Sequence, residues 1–244
     1  MCEGRLVDVA DTELFVEERG AAEGFPLLVL HGGPGLDHHM FGDYLDPLTA
    51  DGRYRLVFVD ERSQGRSARA VAPQTWTIER MAADITELAD SLNLSSYAAL
   101  GHSFGAFLAL QHAVDFPGAA TATIVSAGVA SGRWLAGVEA ELAAFEPVDL
   151  REQVASSWAR EAFVRTDDEA ETIWIDQLPF HFRDPRDPRI DDYARRTAAA
   201  RYAPRRPPSL RDERLRRYRS RGPAGDVAAT GARAVGQIRP RLRR

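Results

Sequence analysis

The feature that most constrains this chain is a recurring unit: a short apolar run, a turn residue, then a stretch with helical periodicity. Pro26–Leu30, Tyr54–Val59, Tyr97–Leu100 and Ala122–Val125 are the apolar runs. Each is shorter than a typical buried helix and lacks the strict alternation of a half-solvated strand. Each therefore fits a strand covered on both faces, the central position of a parallel sheet. Behind Thr77, residues Ile78, Met81, Ile85, Leu88 and Leu92 fall at helical spacing, and Phe104 to Phe116 predicts a second helix stopped by Pro117-Gly118. Strands alternating with helices predict an α/β fold, a mostly parallel sheet flanked by helices. Ahead of this unit, Arg5–Val9 and Glu13–Glu17 alternate as two half-buried strands around a turn at Ala10-Asp11-Thr12, and residues 38–50 predict a short helix.

The pattern changes after Ala130. Helical stretches at Trp134–Phe145, Leu150–Arg165, Glu169–Gln177 and Ile190–Tyr202 follow without a convincing strand, as in a helical lid inserted after a sheet strand. The chain thus divides into a core at 1–130, a lid at 131–204 and a tail at 205–244. The tail differs sharply in charge. All 31 basic residues of the chain are arginine; residues 1–204 hold 18 of them against 33 acids, and residues 205–244 hold 13 against three. Two origins fit such a tail: a coding sequence read out of frame near residue 205, which composition favours, or a genuine basic segment that meets phosphates. No fold motif or aromatic interleaving supports base readout, so a nucleic-acid partner is not expected.

With 44% hydrophobic and 27% charged residues, wholesale disorder, collagen and coiled coil are excluded. No apolar run approaches the length of a membrane span, and the first residues lack the basic and apolar pattern of a secretory leader. Cys2 is the single cysteine, so no intramolecular disulfide can form. A soluble, cytoplasmic protein is the expectation.

Two glycine motifs carry chemistry. Gly101-His102-Ser103-Phe104-Gly105 lies between an apolar strand and a helix, the context that a G-x-S-x-G nucleophile elbow requires. A serine on so tight a turn needs neighbours without side chains, and the backbone N–H groups that follow it face a developing oxyanion. His31-Gly32-Gly33-Pro34-Gly35 also follows a strand, and a glycine loop there can bring a further N–H to the same oxyanion. A phosphate loop is excluded by spacing and by the absence of lysine. His31 and Gly32 are candidate substrate-binding residues.

These motifs, together with Asp60-Glu61-Arg62-Ser63-Gln64-Gly65-Arg66-Ser67, resemble the proline iminopeptidase branch of the α/β-hydrolase superfamily over about residues 5–203. Ser63 stands where that family's D-x-R-G-x-G-x-S motif has its first glycine, and His102 and Phe104 stand where its peptidase members often have glycine and tryptophan. The resemblance implies an α/β-hydrolase fold with an inserted lid. It implies Ser103 as nucleophile, an oxyanion hole from the N–H groups of Gly33 and Phe104, a small-molecule or short-peptide substrate, and no cofactor. For Asp60, Arg62, Gly65, Arg66 and Ser67, a structural loop with local ion pairs is favoured over contact with substrate.

The family's remaining catalytic groups are harder to place. Of six histidines only His181 follows Ser103 outside its helix-start neighbourhood and in the lid, since His112 belongs to the helix that the serine turn opens. Asp184, Asp187 and Asp226 are conceivable acids, but none follows a recognisable strand. The triad is therefore incomplete, and a weak or inactive hydrolase, a general esterase-type hydrolase or a binding protein that keeps the pocket are the alternatives. Without the family's final strands, an exposed sheet edge and poor solubility are expected. Metal chemistry is not expected; the His38-His39 pair is read as capping a loop or facing solvent.

Overall fold

A computed structural model describes residues 4–131 and 137–203. The Arg-rich tail, Asp226 and the start of the first lid stretch lie outside the described residues. Six strands, β1 (Arg5–Val9), β2 (Thr12–Gly20), β3 (Phe25–Leu30), β4 (Tyr54–Val59), β5 (Ala98–His102) and β6 (Ala122–Ser126), form one sheet in the order β1-β2-β4-β3-β5-β6. β1 runs antiparallel to β2 and β2 antiparallel to β4; the other pairings are parallel.

The apolar runs form the middle of the sheet because both of their faces are covered. Successive side chains of a strand point to opposite faces. Leu28, Leu30, Val57 and Val59 pack with Ile78, Met81, Ile85 and Leu88 of α1 (Ile78–Ser91) and with Phe104 and Leu108 of α2 (Phe104–Asp115). Their neighbours Leu27, Val29, Leu56 and Phe58 pack on the other face with Phe41, Met40 and Leu45. Thr77 caps α1, its hydroxyl accepting the Arg80 N–H at 3.1 Å.

Register sets where the site lies. Leu30 at the end of β3 is opposite Val59 of β4 and Gly101 of β5. The turns beginning at His31, Asp60 and Ser103 therefore emerge side by side at the carboxyl end of the parallel strands, where open α/β sheets bind their ligands.

Residues 38–50 differ from the expected helix. They form two single 3-10 turns, His38–Phe41 and Asp46–Thr49, because Gly42 takes φ 48° and breaks the run between them. The helical segment after β6 comprises α3 (Val138–Ala143), α4 (Val148–Arg160), α5 (Asp167–His181) and α6 (Arg189–Arg196). α5 starts on a capping box between Thr166 and Glu169 and runs four residues beyond the expected Gln177, keeping Pro179 in its last turn. α6 stops six residues before the expected Tyr202. Leu142, Val154 and Trp158 pack together with Phe145 and Phe180, giving this segment its own small core. Leu36, Ala170 and Tyr202 join it to the glycine loop, and the Ala203 N–H donates to the Gly35 carbonyl at 3.0 Å. Among the described residues, no helix is long and apolar enough to cross a membrane.

Candidate active site

The turn from β5 to α2 is sterically saturated. Ser103 sits at φ 52°, ψ −111°, backbone that a residue with a Cβ rarely adopts. A Cβ on Gly101 would run into the Gly105 carbonyl, and one on Gly105 would run into the carbonyl oxygens of Leu30 and His31. Both flanking glycines are thus required by close backbone approach, which is the physical content of the G-x-S-x-G spacing. Two hydrogen bonds fix the turn: Ser103 N–H donates to the Ser126 carbonyl at 2.9 Å, and Gly105 N–H donates to the His31 carbonyl at 2.9 Å. Phe104 is the first residue of α2, so its N–H has no acceptor within the helix.

The glycine loop lies against this turn. A Cβ on Gly32 would sit 3.2 Å from Ser103 Cβ and 3.1 Å from Met40 Cε, so any larger residue would have to push these neighbours back by a few tenths of an ångström. Gly33 adopts φ 129°. His31 is fully buried and turns its ring away from the serine: Nδ1 lies 2.7 Å from the Gly32 carbonyl, and Nε2 accepts the Glu61 N–H at 3.2 Å. These bonds tie the loop down. Burial holds the His31 pKa below the usual histidine range.

Ser103, Gly32 and Gly33 open onto a cavity of about 370 Å³. The helical segment after β6 lines it with Trp158, Trp174, Gln177, His181 and Tyr193, and with Glu161. Sequence periodicity assigns all of these residues except His181 to helices but carries no sign of which of them face the serine. Glu161 accepts the Gln177 amide at 3.0 Å. His181 is exposed and lines the cavity, with the rings of Trp174, Phe180 and Trp158 beside its own at centroid distances of 5.2, 6.0 and 6.2 Å. Desolvation by these neighbours, with nearby His102, pushes its pKa down to about 4. His102 Nδ1 is 2.9 Å from Ser126 Oγ, and burial lowers its pKa as well. Among the described residues, no histidine nitrogen stands within hydrogen-bond distance of Ser103 Oγ. Asp184 and Asp187 serve their own turn, accepting from the Arg186 and Arg189 N–H groups.

The loop after β4 is held by buried ion pairs. Asp60 accepts from His38 N–H (3.0 Å), His38 Nδ1 (2.6 Å) and Arg66 N–H (2.8 Å), and Ser67 Oγ donates to its carbonyl at 2.6 Å. A Cβ on Gly65 would collide with the Asp60 carboxylate. Arg62 is fully buried and forks between Asp84 (2.6 and 2.8 Å) and Asp11 (2.8 and 3.1 Å). His38 does not face solvent as expected: it is fully buried because Asp60 on one side and Glu17, 3.3 Å away, on the other supply the charge that makes burial tolerable. Asp37, His38 and His39 each bring one polar atom within 4.8 Å of the others. Their donor atoms are already engaged: Asp37 accepts from the N–H groups of His39 and Arg201 and from Arg66, while His38 is held by Asp60.

Comparison with known proteins agrees with this fold. A family model for the alpha/beta hydrolase fold matches residues 26–223. The "Probable proline iminopeptidase" of Streptomyces coelicolor is 36% identical over 134 residues, 52% of this chain and 40% of that protein. A protein of a different name, the "Magnesium-chelatase 30 kDa subunit" of Rhodobacter capsulatus, is 37% identical over 109 residues, 45% of this chain and 37% of its own length. The crystal structure of proline iminopeptidase from Mycobacterium smegmatis superposes with a TM-score of 0.60 at 22% identity, covering 81% of this chain and 67% of that one, a likeness of fold. The chain spans about two-fifths of the length of these curated relatives. With the family match spanning most of its length, this chain belongs to the α/β-hydrolase family, and within it is similar to the proline iminopeptidases.

Proposed function

We propose that this protein is a serine hydrolase that forms an acyl-enzyme on a small peptide, amide or ester. Ser103 attacks the carbonyl carbon, and the N–H groups of Phe104 and Gly33 hold the oxyanion. The observation that carries this reading is the backbone of Ser103 at φ 52°, on the wall of a cavity it shares with Gly32 and Gly33. A fold does not maintain strained backbone at a serine flanked by two obligatory glycines without a use for the exposed Oγ. The aromatic lid wall and Glu161 fit a substrate with an apolar body and an amino group, consistent with the peptidase relatives.

Acylation needs a base to take the serine proton. His102 and His181 are the histidines on the cavity wall, and neither bonds to Ser103 Oγ. The expected activity is accordingly low; serine proteases stripped of triad members keep roughly 10³–10⁴-fold over water from oxyanion hole and binding. The test is a fluorophosphonate probe with the modified peptide identified by mass spectrometry, followed by turnover of prolyl amides and p-nitrophenyl esters. Labelling at Ser103, lost in Ser103→Ala, is expected; a wild type that never labels overturns the reading. The lack of a base at Ser103 among the described residues favours a second reading, a binding protein that keeps the cavity. Ligand binding preserved in Ser103→Ala, with no turnover by wild type, would select it.

A further inference from the structure

Glu61 is a buried acid whose surroundings offer it no cation. Its Oε2 accepts the Gln64 amide at 3.0 Å, and its Oε1 is buried with no hydrogen-bond partner. His31 Nε2 lies 3.6 Å from Oε2, but that nitrogen accepts the Glu61 backbone N–H and so carries no proton; the ring is the neutral Nδ1–H tautomer donating to the Gly32 carbonyl. The next residue, Arg62, is committed to Asp84 and Asp11. Apolar side chains of β3, α1 and α2, among them Leu30, Met81 and Leu108, complete the surroundings. The remaining charge is the Asp60 carboxylate beside it, which repels a second anion. A carboxylate with one side-chain donor and a negative neighbour is far costlier here than the neutral acid.

The same residues hold the glycine loop. Gln64, donating to Glu61, accepts the Gly35 N–H on its Oε1 at 2.5 Å. His31, docked on Glu61, holds Gly32 through its ring and the start of α2 through its carbonyl. Both ends of the Gly32–Gly35 loop are therefore anchored on one side chain and its backbone.

We propose that Glu61 is a positioning residue that works as a neutral carboxylic acid, setting through Gln64 and His31 the loop that presents the Gly33 N–H. This rests on the reading of Gly33 as an oxyanion donor, yet its core is a protonation state that is measurable without catalysis. Burial first, and then the Asp60 charge, hold the Glu61 pKa well above the usual carboxylate range, against the hydrogen bonds from Gln64 and from the His31 backbone. Ionisation at alkaline pH places an unpaired charge under the loop and displaces Gln64 and Gly35.

The experiment is an NMR titration of the full chain with 13C at glutamate carboxyl carbons and 15N at glycine. The Glu61 signal, assigned sequentially in wild type and missing in Glu61→Gln, is expected at the protonated position at pH 7. The Gly33 and Gly35 amide signals shift with the same midpoint, and that shift is lost in Glu61→Gln. A Glu61 carboxyl already ionised at pH 7, or glycine signals that titrate alike in both proteins, overturns the proposal. The wild-type midpoints suffice where the variant does not fold. Failure of Ser103 to take a fluorophosphonate would remove the catalytic reading and leave this titration to decide the state of Glu61.

Discussion

At the scale of single residues, the decisive positions are those where one added atom or proton changes the site. Gly105 is one such position: its absent Cβ is what lets α2 start against the carbonyls of Leu30 and His31. Gly105→Ala is expected to destabilise the fold by about 1–3 kcal/mol, the ordinary cost of forcing an atom into packed backbone, and to abolish Ser103 labelling. Gly137→Ala, whose Cβ would meet nothing within 4 Å, is the control and should leave both unchanged. Equal unfolding midpoints for the two variants would refute the steric account. His38 is the protonic counterpart. Burial opposes its charge, but the hydrogen bonds with Asp60 and Glu17 outweigh that and raise its pKa from 6.5 to about 9. A raised folded-state pKa stabilises fully below the unfolded value and loses that stabilisation as pH rises through the folded one. Stability should therefore fall by on the order of 3 kcal/mol between about pH 6.5 and pH 9. Urea midpoints across this window should drop in wild type, and His38→Gln should flatten the slope; an unchanged slope in the variant would reject the assignment.

At the scale of elements, ion pairs do what short loops cannot do alone. Arg62 joins the loop after β4 to α1 through Asp84 and to the β1–β2 turn through Asp11. A fully stranded buried charge costs about 3–5 kcal/mol; Arg62→Met is expected to cost less than that, because Arg80 still pairs with Asp84 at 2.7 Å, but more than the loss of an exposed pair. Asp11 is half exposed, and exposed pairs contribute less, so Asp11→Asn should cost under about 1 kcal/mol. Chemical denaturation of both variants checks the order, and an equal loss would contradict it. The central strands are legible in the sequence because each apolar run stops at a residue that must turn, and both glycine motifs are legible because close approach dictates their spacing. The cavity wall is not. Trp158, Trp174 and His181 reach it through the crossing of α4 and α5, and helical periodicity marks a face without naming what that face meets. The burial of His38 is hidden for a related reason: its partners Glu17 and Asp60 lie 21 and 22 residues away, on β2 and just past the end of β4. The reach of α5 to His181 is hidden because Pro179, normally a stop signal, sits in the final turn.

For the whole molecule, the question is what a six-stranded sheet does with its last strand. β1 ends one side, short and antiparallel, with α1 packed near it. On the other side β6 pairs with β5 alone among the described residues, so its second row of backbone N–H and C=O groups is left for another strand or for water. Its side chains do not protect it. Ile124 is 36% and Val125 39% exposed, and the strand carries none of the charges or prolines that keep natural edges apart. An apolar edge of this kind is a template for self-pairing, which makes concentration-dependent association the expected behaviour of the purified chain. Because β6 also supplies the Ser126 carbonyl that holds the Ser103 N–H, association at this edge acts on the strand that steadies the Ser103 turn. Ile124→Lys places a charge on the edge without touching that hydrogen bond. It should lower the mass seen by light scattering at high protein concentration while leaving Ser103 labelling in dilute solution as in wild type. If association is the same in the variant, β6 is not the surface through which the molecules meet.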